Sequence, residues 1–296
     1  MRILILTGGN SSERKISFLS ARNVKNALTQ SGHMVKIYDL KNGYLAIKKL
    51  SKNFDVLFPV LHGEEGEGGV LHKFISKIDK PIVGTRNFSD MQKAWYKIPF
   101  KKFCDKNKIK TPRWKEIKNA KDIISFGFPC VLKTSSGGSS REVVILKSKD
   151  DLKSREFKKI ISLQLSIFVE EYKNGVEVTC GIVNDKALPL LEIVPPNGSW
   201  FNYKNKYDNS SKEIPFAPSV NRKMQKNVQN IALKIFKSFD LGSYCRIDFI
   251  ISNNIPFVLE LNTIPGMTAG SLLPKQAKAA GISFPKLMEM LIKSAK

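Results

Sequence analysis

Two strand-like segments late in the chain carry the residues best suited to chemistry, CRIDFII at 245–251 and PFVLELNTIPGMT at 256–268. Side chains two apart on a strand share a face. Arg246 and Asp248 therefore point one way, with Ile247 and Phe249 behind them. Glu260 and Asn262 share a face in the same manner, with Leu259 and Leu261 opposite. If Ser252-Asn253-Asn254 form the hairpin turn, paired positions sum to even numbers and all four polar groups emerge together. Asp248, Glu260 and Asn262 are hard oxygen donors of the kind Mg²⁺ takes, with water and substrate phosphates completing its shell. A surface salt-bridge ladder of arginine with two carboxylates has the same pattern. The Pro-Gly turn in TIPGMT favours a site, because it would expose backbone N–H groups beside the donors.

The second chemical segment is KTSSGGSSRE at 133–142, which follows the apolar run FGFPCVL. A lysine at a strand end, then two glycines among serines, suits a loop that grips phosphate. The order is the reverse of the GxxxxGK[ST] loop, in which the lysine comes last and opens a helix. Standing alone, the segment reads more readily as a polar loop between strands.

Positioning these groups requires a particular order of elements. The first third alternates: strand RILILTGG, then helix ISFLSARNVKNALTQSG with Ile16, Leu19, Val24, Ala27 and Leu28 at helical spacing. Strands MVKIYDL and DVLFPVLHG, a short helix GGVLHKFISKI and strand PIVGT follow. Such alternation predicts an open parallel sheet with ligands beyond the carboxyl ends of its strands. Those ends carry Thr7-Gly8-Gly9-Asn10 and His62-Gly63-Glu64. A helix over 89–107 and a connection at IKTPRW lead to a second unit, which runs strand PCVLK, the Lys133 loop, strand VVILK, a helix and strand IFVEEY. From Val176 the chain turns strand-rich, with VEVTCGIV and ALPLLEIV ahead of a polar, aromatic loop from Pro195 to Pro218. A helix at 220–239, the Arg246 strand pair and two further helices close it. The pattern predicts three α/β or α+β lobes, 1–88, 89–176 and 177–296, with a site between them.

Bulk properties narrow the class. The 296 residues carry a net charge of +23, yet the cations are mostly scattered lysines without interleaved aromatics, so no nucleic-acid partner is expected. No segment approaches the ~20 apolar residues of a membrane span. MRILILTGGN is too short for a signal peptide and reads as a buried strand. Cys104, Cys130, Cys180 and Cys245 are far apart with no CxxC pair, which favours a reducing cytoplasm over metal or disulfide roles.

LHGEEGEGG, KTSSGGSS, FVEEY, FNYKNKY, CRIDF and LELNTIPGMTAGSL occur here in the order found in D-alanine–D-alanine ligases of the ATP-grasp superfamily. The resemblance runs from TGGNSSERKIS to the last helix. It implies a three-lobed ATP-grasp fold with an N-terminal open parallel sheet. The implied activity is phosphorylation of one D-alanine by ATP, then attack of a second D-alanine's amine on the acyl phosphate. Asp248, Glu260 and Asn262 resemble the family's Mg²⁺ ligands, for two ions, with Mn²⁺ an alternative. Arg246 and the Gly266 backbone resemble the groups that stabilise the tetrahedral intermediate. Lys93, Lys133 and Lys206 resemble the lysines around the ATP phosphates. Glu170, Glu171 and Tyr172 are similar to the adenine-reading segment, with Trp200 stacking, and Glu177 to the ribose carboxylate. Glu13 resembles the carboxylate that holds the first ammonium, linked to Ser139 and Tyr207. His62 would lie near the first D-alanine, and the Ser271 and Leu272 N–H groups would receive the second carboxylate. Each of three residues also has a plainer role: Glu13 as a helix cap, His62 as a loop histidine, Trp200 as core. The loop at 200–218 would close over the site. A homodimer without nucleic-acid or membrane partners is expected, and so is a cytoplasmic location.

Several positions depart from the family pattern. Thr134 stands for a proline, Gly137 for an acidic residue, Arg141-Glu142 for small residues and Phe201 for a tyrosine. MQK replaces MDK, and the GEGG run near Glu67 is also unusual. These leave loop closure, ATP affinity and the exact amino acid open, with D-alanine joined to D-serine or D-lactate, or a pair of other amino acids, as the alternative.

Overall fold

The structure is a computed structural model that describes residues 1–138, 142–196 and 210–296. Ser139, Arg141, Trp200, Phe201, Lys206 and Tyr207 lie outside the described residues, as does most of the expected closing loop.

The chain begins with β1 (Arg2–Thr7), α1 (Arg14–Gln30), β2 (Met34–Asp39), α2 (Leu45–Ser51), β3 (Val56–Pro59) and α3 (Val70–Ile75). The three strands form a parallel sheet in the order β2-β1-β3. PIVGT, expected as a fourth strand, contributes only an isolated bridge from Ile82 to Leu57. On α1, Ser17, Ser20, Ala21, Val24, Ala27 and Leu28 are buried. Leu19, expected in that core, is 47% exposed.

The single helix expected over 89–107 is two, α4 (Phe88–Trp95) and α5 (Lys97–Lys106), broken at Tyr96 in an extended conformation (φ −73°, ψ 118°). Pro99 supplies the reason. Inside a continuous helix its ring would clash with the Trp95 carbonyl four residues back, whereas the first turn of a new helix accommodates it. IKTPRW leads directly into a strand, β4 (Trp114–Ile117), followed by α6 (Ala120–Phe126), β5 (Cys130–Thr134), β6 (Val143–Leu146), α7 (Arg155–Ser162) and β7 (Ile167–Glu171). These strands form an antiparallel sheet, β4-β7-β5-β6.

The last part contains β8 (Val176–Val183), β9 (Lys186–Ala187), β10 (Leu191–Val194), β11 (Lys212–Pro215), α8 (Arg222–Ser238), β12 (Tyr244–Ser252), β13 (Ile255–Asn262), α9 (Leu272–Ala279) and α10 (Phe284–Lys293). The sheet order is β11-β10-β8-β12-β13, with β9 beside β8. Strand β11 lies inside the stretch expected as a loop. Helix α8 starts where the Asn221 side chain accepts from the Met224 N–H, a standard N-cap. Its buried residues Met224, Val228, Ala232, Ile235 and Phe236 follow the 3.6-residue period. They pack on Val178, Cys180, Ile247 and Phe249 from the back of the sheet, leaving the opposite face to line a cavity.

The hairpin of β12 and β13 turns on two residues, Asn253 and Asn254, both at positive φ (49° and 59°). This is the backbone of a tight hairpin turn that asparagine tolerates. Ser252 opposite Ile255 gives odd sums, contrary to the expected turn. A β-bulge between Asp248 and Phe249 then restores parity, setting Asp248 opposite Glu260 and Arg246 opposite Asn262. Were the same residues paired without the bulge, Asp248 would oppose Leu259, and Glu260 would turn into the core.

Candidate active site

Two cavities open on the polar face of this hairpin. The first lies between the four-stranded and six-stranded sheets. Val131, Ile145, Ile250 and Leu259 give it apolar walls, and Lys133, Glu177, Asp248 and Glu260 line its polar end. The second, about 410 Å³, lies toward the N-terminal sheet. Glu13, His62, Glu67, Arg246, Asn262, Gly266 and Ser271 surround it, with Ile16, Leu19 and Trp95 as apolar wall. Lys97, Gly137, Gly138 and Glu260 line both.

Asp248 is the most heavily bonded group on the hairpin. Arg246 donates to it twice, Nε to Oδ1 and Nη2 to Oδ2, both at 2.9 Å. Thr179 Oγ1 donates to Oδ1 at 2.6 Å and Asn262 Nδ2 to Oδ2 at 3.1 Å. Burial opposes the charge of Arg246, but Asp248 outweighs it and raises the guanidinium pKa further. Among the described residues no group of three His, Cys, Asp or Glu could hold a metal ion. The hairpin offers two carboxylates facing each other and one amide oxygen. That set fits a hard cation whose remaining ligands come from water and phosphate.

Among the described residues, three lysines approach the first cavity. Lys133, on β5, ion-pairs with Glu170 Oε1 at 2.5 Å. Lys97, at the start of α5, donates to the Gly137 carbonyl at 2.8 Å and sits 3.7 Å from Glu260 Oε2. Lys173 pairs with Glu171 at 2.6 Å and lies over the Phe257 ring. Lys93 is not among the cavity residues: it is exposed on α4, 3.0 Å from Asp90. Four residues are a little over one helical turn, but the break at Tyr96 redirects the chain, so Lys97 takes the place expected of Lys93. The sequence signal was the second lysine four residues on. Gly137 has φ +109°, and a Cβ there would lie 2.6 Å from Glu142 Oε2, so only glycine fits this bend.

Glu170 lines the first cavity with both of its carboxylate oxygens already paired. Lys133 holds one oxygen and Lys101 the other, at 2.5 Å each. Burial alone would raise its pKa, but the two ammonium groups hold it at about 2. Glu171 and Tyr172 do line the first cavity, as does Glu177.

In the second cavity Glu13 lies at the N-cap of α1 without making a side-chain cap bond. His62 follows β3, and its Nε2 is buried without a hydrogen-bond partner among the described residues. Its Nδ1 is 4.0 Å from Glu67 Oε2. Burial lowers the His62 pKa. Burial, then the charge of Glu13, raises Glu67 to about 8, against a hydrogen bond from the Gly63 N–H. Burial thus disfavours the charged form of both groups. Glu67, Ile16 and Leu19 were not expected as site residues. Opposite them, the chain after β13 brings Gly266 against Ser271: a Cβ on Gly266 would lie 2.7 Å from Ser271 Oγ. Ser271 is the N-cap of α9, so the N–H groups of that helix end face the cavity, a setting favourable to a carboxylate.

Two antiparallel sheets closing on a cavity, with lysines from one and facing carboxylates from the other, define the ATP-grasp fold. The family D-ala D-ala ligase C-terminus matches residues 96–293. A D-alanine–D-alanine ligase of Maridesulfovibrio salexigens is 36% identical over 99% of this chain and 97% of its own. One from Thermotoga petrophila is 34% identical over 100% and 97%. The crystal structure of the Bacillus anthracis D-alanine–D-alanine ligase complexed with ATP superposes with a TM-score of 0.85 at 30% identity, covering 99% of this chain and 97% of that one. The chain belongs to the D-alanine–D-alanine ligase family.

Proposed function

We propose that the chain joins two D-alanines at the expense of ATP, giving D-alanyl-D-alanine, ADP and phosphate for peptidoglycan precursors. One observation carries the reading: the sheet-walled cavity and the second cavity share Lys97, Gly137, Gly138 and Glu260. A phosphoryl group at that junction is within reach of both.

A carboxylate is a poor electrophile, being anionic and without a good leaving group. In this reading an oxygen of the first D-alanine attacks the γ-phosphorus and ADP leaves, which remedies both faults. The amine of the second then attacks the acyl carbon, phosphate leaves and the amine gives up a proton. Such catalysis is mostly positioning and charge stabilisation. Lys97 and Lys133 hold the phosphates, Glu13 the first ammonium, and the N-terminus of α9 at Ser271 and Leu272 the second carboxylate. Arg246 and the Gly266 N–H face the oxyanion of the tetrahedral intermediate. His62, neutral and buried, contacts the first substrate without adding a positive charge. Asp248, Glu260 and Asn262 would hold Mg²⁺, which when bound supplies charge neutralisation to the phosphates. Ser139, Lys206, Tyr207 and Trp200 keep the roles that the resemblance implies. The three units 1–88, 89–176 and 177–296 divide the work into amino-acid wall, nucleotide wall and shared floor.

We place the enzyme in the cytoplasm as a homodimer; its four cysteines are buried thiols, and among the described residues no helix is long and apolar enough to cross a membrane. Mg-ATP supplied with single amino acids and with pairs tests the activity. Phosphate release should require D-alanine, and the product should be D-alanyl-D-alanine. Pyrophosphate release, turnover indifferent to D-alanine, or preferred incorporation of D-serine or D-lactate would overturn it.

A further inference from the structure

Lys101 is fully buried, and no step above uses it. It lies on α5 one turn after Lys97, so the two share a helix face. Lys97 reaches the cavity junction, while the Lys101 ammonium is committed to Glu170 Oε2 at 2.5 Å and to Thr111 Oγ1, whose hydroxyl also contacts the Val258 carbonyl at 2.8 Å. Glu170 thus bridges an interior lysine and a cavity lysine, one on each oxygen. Lys101 has 1% of its side chain exposed and Lys133 14%, so only the second can move into the cavity.

A buried carboxylate that loses its only counter-charge is strongly destabilised. With one lysine, Glu170 would hold that lysine fast. With two, Lys133 can leave while the carboxylate stays paired to Lys101. We infer that Lys101 is a positioning residue for nucleotide binding: it keeps Glu170 paired so that Lys133 can leave it for the phosphates. The inference rests on assigning the sheet-walled cavity to ATP. It concerns a residue that never touches the nucleotide.

The test is steady-state kinetics of Lys101→Met, Glu170→Gln and the double variant, with melting temperatures for each. Unmodified enzyme is assayed first, and absence of ATP-dependent turnover there would sink the ATP assignment rather than the role of Lys101. Lys101→Met should raise the KM for ATP on the order of ten-fold or more, because Lys133 must now abandon an otherwise unpaired carboxylate. Its KM for D-alanine and its kcat at saturating ATP should hold. The double variant should match Glu170→Gln in its KM for ATP, since no carboxylate remains to retain Lys133. That comparison stands even if Lys101→Met does not fold. Wild-type ATP affinity in folded Lys101→Met, or a double variant weaker for ATP than Glu170→Gln, would overturn the inference.

Discussion

The sheet-walled cavity takes its walls from strand residues in alternation: Val131 and Lys133 on β5, Val143 and Ile145 on β6, Asp248 and Ile250 on β12. The second cavity takes its walls from the ends of elements distant in sequence, with Glu13 before α1, His62 after β3 and Gly266 and Ser271 between β13 and α9. A two-residue period is local information, whereas a junction of loop ends exists only once the lobes have packed. The first cavity should therefore depend on residues singly, the second on their spacing.

Glu260 belongs to both, and its loss should have the largest effect. Glu260→Ala should lower kcat on the order of 10³-fold with the circular dichroism spectrum retained, for it removes a charge-positioning group from a partly exposed strand. Substantial turnover would mean that the two cavities do not work through this carboxylate. Gly266→Ala comes next. The new methyl must displace the Ser271 hydroxyl, so the KM for D-alanine should rise about ten-fold while that for ATP holds. Equal effects on both constants would erase the distinction between the cavities.

Glu67 provides a third, titrimetric contrast. Its carboxyl is raised from 4.5 to about 8 in the fold, so the folded state binds the proton more tightly than the unfolded chain. Its contribution to stability is complete below pH 4.5 and is lost as pH rises through about 8, at no more than about 1.4 kcal/mol per pH unit. Chemical denaturation across that range should show the wild type losing ground to Glu67→Gln as pH rises. A constant difference would place the proton elsewhere. The smallest effect is expected at Lys93: an exposed ion pair is worth ~0–1 kcal/mol, and Lys93→Ala should leave the KM for ATP within about two-fold, unlike Lys97→Ala.

The same division explains what could be read from sequence. The polar face of Arg246, Asp248, Glu260 and Asn262 was legible from alternation, and the alternating first third from its apolar spacing. The register was not: it depends on a bulge beyond Asp248 that residue types do not announce, and the turn is one residue shorter than expected. Lys93 and Lys97 are equally plausible until Pro99 is seen to end one helix and start another. Leu19 reads as core on a helical wheel, but α1 presents that edge to the second cavity, and only the packing of the lobes decides which.

The bulge also bears on how this hairpin can change over generations. Leu259 is the extra residue, and it lines the sheet-walled cavity beside Glu260, two neighbours on one side where a regular strand would part them. Deleting Leu259 would leave a regular hairpin with the aspartate still opposite the glutamate and the arginine still opposite the asparagine. The pairing of the four polar residues is thus indifferent to the presence of that leucine. What Leu259 adds is a patch of hydrocarbon next to the carboxylates, a place where a substitution can change the shape of the cavity without moving the polar pairs.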